Sequence, residues 1–184
     1  MGKQCLRISA ALLVAGLVLA DSEYAVVQRK LDQIEQGRLR AGTRIVMTSQ
    51  ELTGWAGQQV PQGVRNPRVE LGAGTAIGSA LVDFAKVRRA QGKDPGWIMG
   101  KLLEGERPVK VTVRIQSAKG MATVDVERVE VAGLQIEGQM LDFLIQNFLL
   151  AMYPDAAVGR PFEIGSRIDR VEVAPGAASV IIGK

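Results

Sequence analysis

The sequence predicts an α+β domain in which a strongly curved antiparallel sheet wraps around a long apolar helix. Apolar and polar residues alternate from Val109 to Val131, which is typical of long strands with one buried face. The phase of this alternation shifts at Glu127–Arg128 and again at Ala132–Gly133, and such shifts predict β-bulges that bend a sheet. Residues 140–153 are apolar around most of a helical circumference, so this helix must be covered on most of its sides. A curved sheet can provide that cover.

The composition excludes several classes of chemistry. The 184 residues include no histidine and one cysteine, Cys5. A Ser–His–Asp or Cys–His triad, a histidine-ligated metal, a cysteine-based zinc site and an intrachain disulfide are therefore excluded. We expect no metal and no other cofactor. The 23 basic and 19 acidic residues give a net charge of +4, which is too small to indicate a nucleic-acid partner.

Residues 1–20 have the pattern of a secretory signal peptide. Lys3 and Arg7 precede an apolar segment of 13 residues that ends at Ala20, with small residues where a signal peptidase cleaves. As a helix this segment would be about 20 Å long, shorter than the roughly 30 Å hydrocarbon core of a bilayer. We expect cleavage, with an uncleaved inner-membrane anchor as the alternative. The cysteine-free remainder favours export to the periplasm of a Gram-negative bacterium.

The remaining chain divides into an N-terminal helical unit and one larger domain. Residues 21–42 contain an amphipathic surface helix, predicted from Glu23 to Gln36. Residues 43–184 are predicted to form the domain of sheet and helix.

Strand and turn signals then follow in order along that domain. Thr43–Met47 is β-branched and predicts a strand, and Thr48 with Glu51 has the pattern of a capping box that opens a helix from Ser49 to Gln59. Residues 68–71 and 75–85 predict a hairpin that turns at the glycines between them. Near the end of the chain, residues 162–164 and 167–173 predict one further strand, and residues 179–182 return after a turn to close a terminal hairpin. For the whole domain, the sequence predicts two to three helices and about six antiparallel strands.

The hairpin at residues 68–85 presents two different faces. Ile77, Ser79, Leu81 and Asp83 are predicted to share one side. The other side is predicted to carry Ala76, Gly78, Ala80, Val82 and Phe84, and its small residues would allow close packing. Its glycine-containing turn also resembles a dinucleotide fingerprint, but no further strand–helix units follow, so nucleotide binding is not favoured. Residues 86–107 are predicted as a loop. Trp97 in that loop is predicted either to contact a bound ligand or to cap one end of the core.

Few residues in the sequence have a pattern that indicates catalysis. Most carboxylates alternate with apolar residues, which is typical of a solvated sheet face. Asp125 and Glu127 lie two residues apart, and a glycosidase uses such pairs, but their spacing in sequence does not fix their separation. Asp142 is predicted to lie at the start of the apolar helix, where it would favour the helix dipole. No serine lies in a GxSxG motif. We therefore expect a protein that is not an enzyme.

Two functions remain for a curved sheet around an apolar helix. If helix and sheet leave a gap, that gap is elongated and apolar, and it suits an acyl chain or a similar ligand. If they pack completely, the domain acts as a scaffold or interaction module of envelope machinery.

The order of elements resembles the bacterial arm of the TULIP (tubular lipid-binding) superfamily. The residues concerned are the strand leading into the Thr48–Leu52 helix start, the segment 129–136 that precedes the apolar helix, and the terminal hairpin 168–182. The resemblance implies lipid held in a channel between sheet and helix, and a single half-module that works with a partner or as a homodimer. It implies carriage of lipid in the cell envelope, with a membrane surface or an envelope protein as a further contact. The expected lining residues are Phe143, Phe148, Leu149, Ile77 and Leu81, with Trp55 and Trp97 near the ends.

Overall fold

The computed structural model describes residues 23–90, 92, 105–150, 157–165 and 167–184. These residues form an α+β fold with mostly antiparallel sheets, which confirms the predicted class. The helices are α1 (residues 23–35), α2 (Ser49–Gln59), α3 (Phe84–Ala90) and α4 (Gly138–Leu144), which continues as a π-helical turn over Ile145–Leu149. The strands are β1 (Arg44–Thr48), β2 (Val64–Leu71), β3 (Thr75–Asp83), β4 (Glu106–Ala118), β5 (Met121–Val131), β6 (Leu134–Ile136), β7 (Phe162–Glu163), β8 (Ile168–Ala174) and β9 (Ala177–Ile182).

The strands form two sheets rather than the one sheet predicted. The large sheet has the order β2-β3-β4-β5-β6, with β7 paired to β5, and the small sheet has the order β1-β9-β8. The prediction of one continuous sheet is wrong because the terminal hairpin pairs with β1, not with the large sheet.

The outer edge of β8 is bound to the ends of the large sheet. The carbonyl of Asp169 accepts from Gly120 N at 2.7 Å, and that of Val173 accepts from Gly74 N at 2.9 Å. Between them, the hydroxyl of Ser117 bonds both the N–H and the carbonyl of Val171 at 2.7 Å. These bonds satisfy backbone groups that an edge strand would otherwise leave unpaired, so they join the two sheets.

Helix α2 covers the outer edge of β2. The N–H of Val69 donates to the Thr53 hydroxyl at 2.9 Å, and the N–H of Leu71 donates to the Ser49 hydroxyl at 3.2 Å. Helix α2 therefore protects this edge from pairing with other strands. The predicted capping box is confirmed, since the Thr48 side chain accepts from Glu51 N and the Glu51 carboxylate accepts from Thr48 N.

Each sheet has its own core cluster. Helix α1 packs on the small sheet, where Val27 is only 1% exposed and lies with Met47, Val180 and Ile182. The predicted amphipathic helix is thus confirmed, and its apolar face, with Val27, Leu31 and Ile34, packs on the core of the small sheet. The second cluster lies on the large sheet and contains Phe84, Val129 and Phe148.

Of the two predicted bulges, the structure contains one. Thr112 pairs with Arg128 and Val113 pairs with Val126, so Glu127 is the extra residue and the first bulge is confirmed. At the second position, Ala132 and Gly133 have φ values of 52° and 80° and form the turn between β5 and β6. The second shift is therefore a hairpin turn, in which positive φ at both central residues is typical.

Two helices differ from their predictions. Phe84–Ala90 is helical, whereas residues 84–85 are predicted as strand and 86–107 as loop. Helix α4 begins at Gly138, so Asp142 lies inside it and does not cap its start. Residues 151–153 of the predicted long helix, the signal segment 1–20 and Trp97 lie outside the described residues. Among the helices that are described, none is long and apolar enough to cross a bilayer.

Candidate apolar binding site

The floor of the candidate site is the apolar face of the large sheet. Val109 and Val111 of β4 lie opposite Val131 and Val129 of β5, so their side chains share one face. On the other side of β4, Ala80 lies opposite Val109 and Gly78 lies opposite Val111. A Cβ placed on Gly78 would meet no atom within 4 Å. The small residues of β3 therefore leave open space on the floor.

The roof consists of α3 and of α4 with its π-helical turn. Phe84 and Val87, three residues apart on one face of α3, are both buried against the sheet. Phe148 in the π-helical turn is 6% exposed and joins the same cluster. Such turns occur often at functional sites. Within this one, the Asn147 amide donates to the Phe143 carbonyl at 3.0 Å.

Aromatic contacts hold the two roof elements together. The Phe84 and Phe148 rings meet edge to face, with centroids 5.0 Å apart and an interplanar angle of 85°. Phe143 and Phe148 have centroids 6.2 Å apart at 66°. Edge-to-face pairs are worth about 0.5–1.5 kcal/mol beyond their buried area. Phe148 therefore links α4 to α3 above the sheet.

A cavity of about 170 Å³ lies between roof and floor. Its lining residues are all apolar: Val64, Val82, Phe84, Val87, Val109, Val111, Val126, Val129, Leu141, Leu144, Ile145, Phe148 and Leu149. The lining offers water no side-chain hydrogen bond, and apolar cavities of about 150 Å³ stay dry and take up benzene-sized molecules. The site is therefore suited to hydrocarbon and not to a polar ligand.

Asp83 and Gly63 fix α3 over this cavity. The Asp83 carboxylate accepts from Lys86 N at 2.9 Å and lies 3.2 Å from Lys86 Nζ, so it caps α3. The backbone hydrogen bond from Lys86 is the main cause that lowers the pKa of Asp83, and it outweighs the opposing effect of burial. Gly63 has a φ of 96°, and a Cβ there would lie 2.9 Å from Val87 N. Only glycine allows α3 to approach so closely.

The structure brings some of the predicted lining residues to the cavity and places others elsewhere. Phe148 and Leu149 line the cavity, and Phe143 packs against its core cluster without lining it. Trp55 lies in the other cluster, near Val27 and the small sheet. Trp97 is outside the described residues.

Ile77 and Leu81 lie on the opposite face of the large sheet, so their prediction as lining residues is wrong. They alternate with Val82, which lines the cavity, and successive side chains of a strand point to opposite faces. Leu81 contributes instead to a groove on the outer face, together with Arg68 and Lys110.

Sequence reasoning missed most of the floor and all of α3. The alternation that starts at Val109 predicts that Val111 faces inward, but no sequence pattern predicts that α4 packs on that face. One sequence signal could have indicated α3. Asp83 is a typical N-terminal capping residue, and in the structure its carboxylate accepts a hydrogen bond from the N–H of Lys86, three residues later.

Of the acidic pair Asp125 and Glu127, Glu127 forms an ion pair with Arg114. Arg114, the cross-strand partner of Asp125, donates to Glu127 at 2.6 Å. The Arg114 and Glu127 side chains are 51% and 33% exposed, which is typical of a surface ion pair. Within the described residues, no cluster of three or more acidic, histidine or cysteine side chains is placed to hold a metal ion.

Comparison of the chain with protein-family models, with curated proteins and with solved structures finds no match.

Proposed function

We propose that this chain is a non-enzymatic protein that binds a lipid or another long apolar ligand between α4 and the large sheet. The observation that carries the proposal is the cavity whose lining residues are all apolar. A ligand of this kind gains free energy because its hydrocarbon leaves water, at about 0.8 kcal/mol for each buried methylene. A role in lipid carriage within the cell envelope follows if residues 1–20 direct export.

The dimensions of the cavity limit what it holds in its present form. A volume of about 170 Å³ accommodates a segment of about six carbon atoms. Burial of such a segment contributes about 5 kcal/mol, part of which offsets the entropy lost on binding. A longer acyl chain requires α4 to move away from the sheet. We propose further that the chain is a TULIP-like half-module with its sheet curved around the helix. The packing of α4 and its π-helical turn on one face of the large sheet supports this part of the proposal.

A matched pair of substitutions tests the proposal. Val111→Phe fills the cavity, whereas Ile77→Phe adds a ring of the same size to the opposite face of the adjacent strand. The readout is binding of a fluorescent fatty acid, with circular dichroism to verify the fold. We expect Val111→Phe to weaken binding about tenfold, since displacing two methylenes costs roughly 1.5 kcal/mol. Ile77→Phe should bind as the wild type does.

Native mass spectrometry of the purified protein supplies an independent test. Co-purified lipid that disappears in Val111→Phe supports the proposal. Equal binding by both folded variants, or no binding of any fatty acid by the wild type, contradicts it.

A second candidate is a structural or interaction domain that binds an envelope protein or a second copy of the chain. Leu134 on the short edge strand β6 is 71% exposed, and Met140 at the start of α4 is also exposed. Exposed apolar side chains at a sheet edge favour association. Sedimentation of wild type and of Leu134→Ser distinguishes the candidates, because a dimer lost on substitution supports the second.

A further inference from the structure

Strand β4 carries one charged residue in the phase of its buried face. Arg107, Val109, Val111 and Val113 alternate with Pro108, Lys110 and Thr112, and successive side chains point to opposite faces. Arg107 is half-buried, like the valines that follow it, whereas Lys110 on the other face is exposed. The side chain of Arg107 therefore leaves the strand on the same face of the sheet as the cavity.

Arg107 adjoins the end of the cavity. It pairs across the strands with Val82, and its nearest neighbour in the same phase is Val109; both valines line the cavity. Facing residues of an antiparallel pair have Cβ atoms about 4.5–5.5 Å apart. The cavity itself contains no polar side chain, so Arg107 is a charged group placed where the apolar lining ends.

The carboxylates near Arg107 already have partners. Glu106 pairs with Arg65 at 2.7 Å, and Asp83 pairs with Lys86 at 3.2 Å. Within the part of the chain that the structure describes, no carboxylate forms an ion pair with Arg107. Arg89 in the last turn of α3 acts electrostatically on Asp83, which lies at this end of the sheet, and so adds further positive charge there. The local field therefore favours an anion.

We propose that the cavity takes the hydrocarbon tail of an anionic amphiphile and that Arg107 binds its carboxylate or phosphate headgroup. This inference rests on the proposed function and adds the class of ligand to it. A guanidinium forms two parallel hydrogen bonds to a carboxylate or phosphate, and it is less strongly hydrated than an ammonium group. A tail buried against Val82 and Val109 brings an anionic headgroup to this position.

The test compares ligands that share a tail and differ in charge. Displacement of a neutral fluorescent probe is measured with dodecanoate, dodecyl phosphate and 1-dodecanol, on wild type, Arg107→Gln and Lys110→Gln. We expect wild type to bind the two anions at least about tenfold more tightly than the alcohol, because one hydrogen bond between charged groups contributes about that much to affinity. Arg107→Gln should lose this preference and keep its affinity for the alcohol. Lys110→Gln, on the opposite face of the same strand, should behave as wild type.

The remaining outcomes separate this inference from the proposed function. If wild type binds the alcohol as tightly as the anions, Arg107 has no headgroup role, although the cavity still binds tails. If Arg107→Gln retains the preference for anions, the inference is also wrong. Acetate and inorganic phosphate serve as tail-free anions, and displacement of the probe by either would show a simple anion site and overturn the inference. If none of the tailed ligands binds, the proposed function itself fails.

Discussion

Replacing Phe148 by alanine should destabilise the protein more than any other single truncation in the roof of the cavity. Phe148 is 6% exposed and contacts Phe84 and Phe143 edge to face. Truncation of a buried phenylalanine costs about 3–5 kcal/mol. One side of this ring already faces a cavity, where it has few partner atoms. We therefore expect a loss near 3 kcal/mol, at the lower end of that range.

Urea unfolding followed by far-ultraviolet circular dichroism measures this loss as a change in the free energy of unfolding. Phe143→Ala is the matched control, because Phe143 is only half-buried and its single ring contact is longer, so its loss should be smaller. The two losses should not add, since the two side chains touch. A Phe148→Ala loss below about 1 kcal/mol, the typical value for any point substitution, would show that the ring does not link α4 to α3.

Three further predictions concern the close packing at Gly63, the cap of α2 at Thr48 and the ionisation of Glu51. Gly63→Ala should destabilise more than Gly42→Ala in thermal melts, because both have positive φ but only the Gly63 Cβ would collide with backbone, at 2.9 Å from Val87 N; equal losses would argue against close packing of α3. Thr48→Ala removes the capping side chain of α2 and should cost about 1 kcal/mol in urea unfolding, a value that an unchanged midpoint would contradict. Partial burial opposes ionisation of Glu51, but hydrogen bonds from Lys30 and Thr48 outweigh it and lower its pKa from the ordinary 4.5. Its stabilising effect is therefore present above pH 4.5 and is lost as the pH falls through the lowered pKa; Glu51→Gln should show a shallower acid loss of stability than wild type.

Local sequence signals predicted local structure well. The capping box at Thr48 depends on residues three apart, and the hairpin of β2 and β3 depends on a short glycine turn, so neighbouring residues suffice to specify them. The bulge at Glu127 was predictable because an extra residue changes the phase of an alternating pattern. The pairing of β1 with β9 joins distant segments, and no local pattern encodes it.

The choice of the inward face of β3 shows why the site was only partly predictable. Ile77 and Leu81 are larger and more apolar than Gly78 and Ala80, so side-chain hydrophobicity favoured the wrong face. The inward face is decided by the partners of β3 in the sheet, since Gly78 and Ala80 pair with Val111 and Val109 and therefore share the face of those valines. Phe148 and Leu149 were predictable because an apolar helix must bury most of its surface.

Strand β9 lies in the middle of the small sheet and is the most buried of the described strands, with residues 178–182 all buried. Both of its neighbours depend on it for backbone pairing, and one of them, β1, comes from the opposite end of the described chain. During synthesis on the ribosome, β1 and α1 therefore cannot reach their final positions until β9 has emerged. The hairpins formed by β2 to β5 pair neighbouring segments and have no such delay. We expect the large sheet to assemble first, and nascent chains that stop before Ala177 to expose the apolar residues of α1 to chaperones and proteases.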